Sequence, residues 1–487
     1  MRPYIVFLGL FAGLGSFLFG YDTGIITTSI AHDSFKDYMN NPNDAATGAI
    51  VATYIAGEAV GAITQSVIGD KLGRKRFMQL MCLIVTVGTV IQTAAQNYGM
   101  FLAGRILTGI AVGGLVGTVP IFNSEISPPE SRGFVGGLSG YMICIGGLLA
   151  NWIGYACGFA PYGEFQWRFP LALQIPPGVI LFIGLQFFLP DSPRWLIRVG
   201  RYEEALEAFK SIRGLQTEEA VIEFEQMKEQ ILFEKQHEVT SLAEAWQKYR
   251  KRVLIAIAVQ TMTSLSGVNV INYYQTTLYK KLGQTGQNVL LLSGVYGTVG
   301  ALMNIISINL VDRLGRVKLL FFASAGMCID LIYSAVMARE FTNSDNKVGK
   351  AFAILGIYMY TAIYYTGINS TTWLYGVEIL PISLRSRVTG IASTSHFVFN
   401  IAITEAGPSA FANIGENYYY VFVGTTLVSA IGVFMFFPET KGKTLEAIAA
   451  DFGDKVVEGE VDITQAERDI KQLEQRLEDY RGVQPSK

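Results

Sequence analysis

The sequence predicts an all-α membrane protein: twelve transmembrane helices in two six-helix bundles, joined by short cytoplasmic helices. Three observations carry this. Only 16% of the 487 residues are charged and 50% are hydrophobic, whereas an aqueous domain carries about 25% charged residues. Apolar stretches of about 20 residues, the length that crosses a bilayer, recur along the whole chain. Three loop motifs each occur twice, in the same order and about half a chain apart.

The composition also excludes classes. Lys and Arg number 38 and Asp and Glu 40, a net charge of -2, which offers no electrostatic footprint for nucleic acid. Cys82, Cys144, Cys157 and Cys328 fall in apolar runs without metal-ligand spacing, so neither a disulfide framework nor a metal site is expected. No HExxH, nucleophile elbow or Walker loop is present, so no enzymatic activity, cofactor or nucleotide-driven pumping is expected.

In chain order, spans are expected near residues 4–30, 45–68, 77–96, 99–122, 133–156 and 170–189, then 252–278, 288–311, 317–338, 350–376, 386–408 and 418–437. The first follows Arg2 but is too long for a signal peptide and lacks a cleavage site. Lys71, Arg74, Lys75 and Arg76 follow span two, Arg132 follows span four, Arg313, Arg316 and Lys318 follow span eight, and Arg385 and Arg387 follow span ten. By the positive-inside rule these connections face the cytoplasm, which places both termini inside and the polar 31–44 loop outside. The expected units are an N-terminal bundle (1–195), a helical linker (196–251), a C-terminal bundle (252–440) and a cytoplasmic tail (441–487). The linker alternates Glu with Lys and Arg over a helical period, as in RYEEALEAFKSIRG. In the tail, Ile463, Ala466, Ile470, Leu473 and Leu477 form a seam too short for a coiled coil. It reads as a solvated or docked amphipathic helix, or else a partner site. A plasma-membrane monomer embedded in the lipid bilayer is expected.

The loop repeats are GDKLGRK at 69–75 with VDRLGRVK at 311–318, SEISPPESRG at 124–133 with VEILPISLRSR at 377–387, and PDSPR at 190–194 with PETKG at 438–442. They imply two homologous bundles in parallel orientation. Their charges are candidates for a cytoplasmic gate: Asp70, Arg74, Asp312, Arg313 and Arg316 at one pair of loops, Glu125, Arg132, Glu378 and Arg387 at the other. Facing helix ends of this kind can form bidentate clamps between bundles. Topogenesis alone would explain the basic residues but not the paired acids.

Ionisable residues inside a span are functional candidates by default. At 1.5 Å per residue, Asp22 lies about 25 Å above the cytoplasmic start of its helix and Arg105 about 9 Å below the outer start of its own. In a core about 30 Å thick the two share a depth and can pair. A buried carboxylate whose protonation depends on the position of an arginine meets the physical requirement for coupling to a proton; a fixed structural ion pair is the alternative. The cargo is expected at polar residues that a span does not need: Gln260, Thr263, Ser264, Ser266, Asn269, Asn272, Tyr273 and Tyr274 around Gly267 in span seven, Trp373 beside Asn369, Ser370, Thr371 and Thr372 in span ten, and His396 and Asn400 in span eleven. Amides, hydroxyls and an indole face suit a small neutral polyhydroxylated substrate. Bonding between helices is the alternative for any single one.

The set GYDTG, GDKLGRK, GRILTGIAVGG, PIFNSEISPPESRG, PDSPRWL, SGVNVINYY, VDRLGRVK, WLYGVEILP and PETKGKTLE, in this order from about residue 15 to 450, resembles the sugar porter family of the major facilitator superfamily. The resemblance implies the major facilitator fold and secondary transport of a neutral sugar or polyol by alternating access, with proton symport through Asp22 as carrier and Arg105 as its modulator. A facilitative uniporter and a transporter-like nutrient sensor are the alternatives. It also implies ligand contacts for Asn269, Trp373 and Asn400 and an outer gate at Tyr273 and Tyr274. The chain departs from the family pattern where paired glutamines of span seven read Thr263 and Ser264, a span-five glutamine reads Gly140, an asparagine-tryptophan pair reads His396 and Phe397, and the prolines of span ten read Ser370 and Thr372. These departures leave the cargo open among hexoses, pentoses, disaccharides, polyols and related hydroxylated compounds.

Overall fold

The computed structural model describes residues 3–214, 218–236, 242–453 and 463–483, and these form helices joined by short connections. Ten helices are long and apolar enough to cross a membrane. Span one adds an eleventh as a bent pair, Pro3–Ala12 and Leu14–Ser29, meeting at 42°. Span eleven, Ile382–Asn413, has the length, 32 residues, but is too polar to pass on hydropathy. Its polar face is covered: spans two and seven pack against it.

Asparagine starts several spans. The side chain of Asn43 accepts from Ala46 N ahead of Asp44–Leu72, Asn97 from Met100 N ahead of Tyr98–Ile126, and Asn346 from Val348 N and Gly349 N ahead of Lys347–Gly367. Each satisfies backbone donors that the helix itself leaves unpaired. Two equivalent turns reverse the chain between spans two and three and between spans eight and nine. Gly73 (φ 82°) separates Asp44–Leu72 from Arg74–Thr93, and Gly315 (φ 96°) separates Gln287–Leu314 from Arg316–Phe341. Only glycine takes this backbone shape freely, which explains why both copies of the loop motif contain it.

Span five is Arg132–Cys157. Span six breaks between Phe165–Ala172 and Ile175–Phe187. Span seven breaks between Leu242–Leu265 and Val268–Lys281, with Gly267 in the left-handed conformation at the break. Span ten breaks between Lys347–Gly367 and Asn369–Glu378 although it has no proline there, and span twelve is Tyr418–Phe436. Spans two and four pack closely in the first half, and spans five and eight, and two and eleven, meet across the boundary between the halves.

The linker supplies the helices Pro193–Arg198, Tyr202–Arg213 and Glu218–Gln236. The tail helix Ile463–Val483 docks on them. Ala466, Ile470 and Leu473 join Leu206, Phe209 and Phe224 in one apolar cluster, and Lys210 pairs with Glu474. Of the seam expected in the tail, the side chains of Ile463 and Leu477 lie outside the described residues.

Candidate functional site

Asp22 of span one and Arg105 of span four are both fully buried and form an ion pair. The regular rise of a helix is what made their common depth countable. Arg105 Nε also donates to the Ile50 carbonyl at 3.3 Å, and its guanidinium lies 4.1 Å from the centroid of the Tyr54 ring. That cation–π contact is strong where water is absent. Gln174, in the break of span six, donates to Asp22 Oδ1 at 3.5 Å. A second acid stands in the same cluster. Glu58 of span two is fully buried, and neither of its carboxylate oxygens has a hydrogen-bond partner. Its signal in the sequence was an ionisable residue inside an apolar span, and the sequence reading passed over it.

A cavity of about 40 Å³ lies between spans one and five on one side and spans seven, eight and ten on the other. Thr23, Asn151, Asn269, Asn272, Asn369 and three tyrosines, Tyr365 among them, contribute polar groups to its lining, and among the described residues no Lys, Arg, Asp or Glu lines it. Such a volume holds a water molecule or so, against about 300 Å³ or more for a site occupied by a small ligand. Of the candidate cargo residues, Asn269, Asn272 and Asn369 line this cavity, and the Nδ2 of Asn269 is unpartnered.

The others lie elsewhere and mostly bind one another. Ser264 Oγ is 2.7 Å from His396 Nδ1 and donates to the His396 carbonyl at 2.6 Å. Gln260 Nε2 reaches the Thr372 carbonyl at 3.5 Å, and Thr263 Oγ1 bonds to the Val259 carbonyl at 3.1 Å. Trp373 meets the His396 ring edge-on at 5.9 Å. Asn400 Oδ1 accepts from Thr404 Oγ1 at 2.9 Å, and the Tyr274 hydroxyl donates to the Thr404 carbonyl at 3.0 Å. Tyr273 is buried on the side of Glu58, Arg105 and Asp22. Asn151 of span five and Tyr365 of span ten were missed as lining residues because which way a residue faces around its helix depends on the helices packed against it, and a single sequence does not state that. The Gly140 departure acquires a reason: a Cβ there would stand 2.7 Å from Ser370 Cα, so span ten occupies the space that a side chain on span five would need.

At the end of the molecule that carries the linker, the loop charges form two matching clamps. Arg74 reaches Glu125 through Nη2 at 2.9 Å and Nε at 3.1 Å, and Asp70 at 2.6 Å. Arg316 reaches Glu378 through Nη2 at 2.9 Å and Nε at 3.1 Å, and Asp312 at 3.0 Å. These bidentate clamps lie within each half, which corrects the expectation of clamps between the halves. A helix end finds its nearest counter-charge on the neighbouring helix of its own bundle. Other contacts cross the boundary: Arg385 Nη1 to Glu125 at 3.4 Å, Phe134 N to Asp312 Oδ2 at 2.8 Å, and Gln65 Nε2 to Ser386 Oγ at 2.8 Å. Arg132 is buried and donates to the Lys443 carbonyl at 3.1 Å.

Two gate candidates change. Arg387 is exposed, and the buried arginine of that loop is Arg385. Arg313 is exposed too, and only its carbonyl is engaged, by Lys441 Nζ at 2.6 Å. The linker adds two residues absent from the sequence reading: Trp195 Nε1 donates to the Asp70 carbonyl at 2.8 Å, and Arg198 pairs with Asp70 at 3.2 Å while also donating to the Ser383 carbonyl at 3.3 Å. Asp191 and Glu439, matching members of the third loop repeat, sit at the starts of spans three and nine; Glu439 accepts from Arg316 N at 3.0 Å and Val317 N at 3.1 Å. Burial pushes the Asp191 carboxyl above the usual carboxylate range, opposed by the backbone N–H and the charge of Lys75.

The sequence profile of sugar (and other) transporters matches residues 8–452. The chain belongs to this sugar transporter family. An MFS-type transporter, criB, of Aspergillus cristatus is 37% identical over 92% of this chain and 93% of its own length. A probable quinate permease of Aspergillus flavus is 33% identical over 91% of this chain and 87% of its own. Among solved structures, the proton:xylose symporter XylE bound to 6-bromo-6-deoxy-D-glucose shares the fold with a TM-score of 0.83 at 22% identity, over 92% of this chain and 99% of XylE. Against the inward-open form of XylE the TM-score is 0.70. This sugar transporter family member is therefore a multi-pass membrane transporter of the major facilitator fold.

Proposed function

We propose that the protein is a proton symporter for a small neutral sugar or polyol, with Asp22 handling the proton and Arg105 modulating it. The observation that carries this reading is the placement of the buried ion pair: Gly20, Thr23 and Gly24, the residues flanking Asp22 on its helix, line the cavity. A shift of span one on cargo binding thus bears directly on the contact between Asp22 and Arg105. Thr23, Asn151, Asn269, Asn272, Tyr365 and Asn369 would hold the cargo, since amides and hydroxyls both donate and accept. Trp373, His396, Gln260 and Ser264 would support the wall behind Asn369. Because the cavity lacks a cation, a hydroxylated carboxylate such as the quinate named for one relative is the less suited cargo.

The linker end is assigned to the cytoplasm on the positive-inside rule, with both termini inside, as a monomer in the plasma membrane. There the Asp70, Arg74, Glu125 and Arg132 set and the Asp312, Arg316, Glu378 and Arg385 set form the cytoplasmic gate. A competition panel of hexoses, pentoses, polyols and quinate, run with and without a protonophore, tests cargo and coupling together. Asp22→Asn is expected to lose accumulation against a gradient and to keep counterflow exchange. Undiminished concentrative uptake in that variant sinks the coupling assignment.

A further inference from the structure

The buried charge cluster contains one cation and two acids. Asp22 and Arg105 pair; Glu58 stands beside them with no hydrogen-bond partner at either oxygen. The groups that act on Glu58 are Asp22 of span one, Arg105 of span four and Tyr54 on its own helix, while Tyr273 of span seven faces it from the other half of the protein. Arg105 gives Nη1 to Asp22, Nε to the Ile50 carbonyl and its face to Tyr54, and its remaining Nη2, although unpartnered, does not reach either Glu58 oxygen. An ionised Glu58 would therefore be an uncompensated charge out of contact with water, a situation that costs several kcal/mol. A neutral carboxylic acid at the same place carries no such penalty.

We propose that Glu58 is the residue on which the coupled proton rides while both ends of the transporter are shut, with Asp22 remaining ionised against Arg105. This rests on the reading of the protein as a proton symporter. With one proton the three-residue set is neutral, and without it the set carries one negative charge. The hand-over is a single proton transfer: the O–H bond of Glu58 breaks and one forms at Asp22, while the Arg105 guanidinium moves from the Asp22 carboxylate to the Glu58 carboxylate. Net charge is unchanged inside the membrane. The proton then leaves Asp22 for water when span one faces an open vestibule. Tyr54 and Tyr273, each close enough to feel the charge of both acids, act as positioning residues.

The test uses the full-length protein. In its infrared spectrum at neutral pH, a buried protonated carboxyl band is expected that Glu58→Gln removes; Asp22→Asn is expected to lose it as well, because Arg105, freed of Asp22, then pairs with an ionised Glu58. In proteoliposomes loaded with a pH-sensitive dye, with D-glucose, D-xylose and quinate supplied in turn, Glu58→Gln is expected to reduce substrate-driven proton influx about tenfold, within the usual range of coupling effects. Counterflow exchange should persist, the pH profile of uptake should flatten, and Glu58→Asp should restore part of the proton influx. Because glutamine matches the neutral acid in shape, folding is expected to survive, and the wild-type band alone, lost on raising the pH of the open form, gives a second measurement. An unchanged infrared band, or a lost band with full proton influx, overturns the role of Glu58. Loss of coupling in Asp22→Asn with none in Glu58→Gln leaves symport standing and removes Glu58 from it; intact coupling in both removes symport as well.

Discussion

Arg385 and Arg387 differ by two positions and by everything that matters at a helix end. Glu125 is followed seven residues later by Arg132, and Glu378 seven residues later by Arg385. Keeping the repeat in register thus picks the buried arginine, while reading for the first arginine of a span picks the exposed one. Arg385→Ala leaves Glu125 paired with Arg74 and removes the ion pair between halves. The loss of a charged hydrogen bond of about 1.5–3 kcal/mol is expected to expose the cavity from the linker end roughly ten- to a hundredfold more often. Labelling of Cys144, which lines the cavity, by an impermeant maleimide in inside-out vesicles measures this once the other cysteines are replaced by Ser. Arg387→Ala should leave the labelling rate unchanged, and an equal response of the two variants would remove Arg385 from the gate. Asp22 and Arg105 were legible because depth along a helix can be counted. Glu58 has the same depth signal, but which way a residue faces around a helix depends on its neighbours, and a single sequence does not state it.

At the scale of elements, the turn between spans two and three makes the same argument in energy. Gly73 adopts φ 82°, and a Cβ there would come within 2.7 Å of the Trp195 ring. Gly73→Ala is expected to cost about 1–2 kcal/mol from backbone strain alone and to lower the Tm of the purified protein, with Trp195→Leu relieving part of the clash. A Tm equal to wild type would mean that the turn relaxes freely. The spans themselves were legible by length and hydropathy. Span eleven is legible as an apolar stretch of spanning length near 386–408, although the mean hydropathy of its helix falls short because of the polar residues it turns inward. The break in span ten was not expected from Ser370 and Thr372. It is held instead by tertiary bonds, Asn369 Nδ2 to the Gly140 carbonyl at 3.0 Å and Ser370 Oγ to Asn304 Oδ1 at 2.9 Å, and partners so distant in sequence leave no local trace.

For the whole molecule, the division into halves follows from the duplicated loops, but the docking of the tail does not. A seam of apolar residues at helical spacing says that one face seeks cover, without naming the cover. Here it is the linker, through Leu206, Phe209 and Phe224 against Ala466, Ile470 and Leu473. Truncation after Gly453 should uncover this cluster, at about 1.5–3 kcal/mol for each large side chain returned to water. Thermal unfolding followed at the linker helices should begin at lower temperature, while counterflow exchange, which depends on the bundles, persists. An unchanged unfolding curve would mean that the tail contributes nothing to the linker.

The two clamps, with the same pair of distances, 2.9 and 3.1 Å, in each half, have a mechanical consequence. Each half carries its own internal brace, so neither jaw deforms when the seam parts, and what slides is limited to the few side chains that cross it. A stiff jaw on a weak latch divides labour: the braces fix the stroke, and the latch alone sets how often it is taken. Since a ligand can bias such an equilibrium only by its differential affinity for the two ends, a weak latch lets a small, uncharged cargo turn the machine with only a few hydrogen bonds.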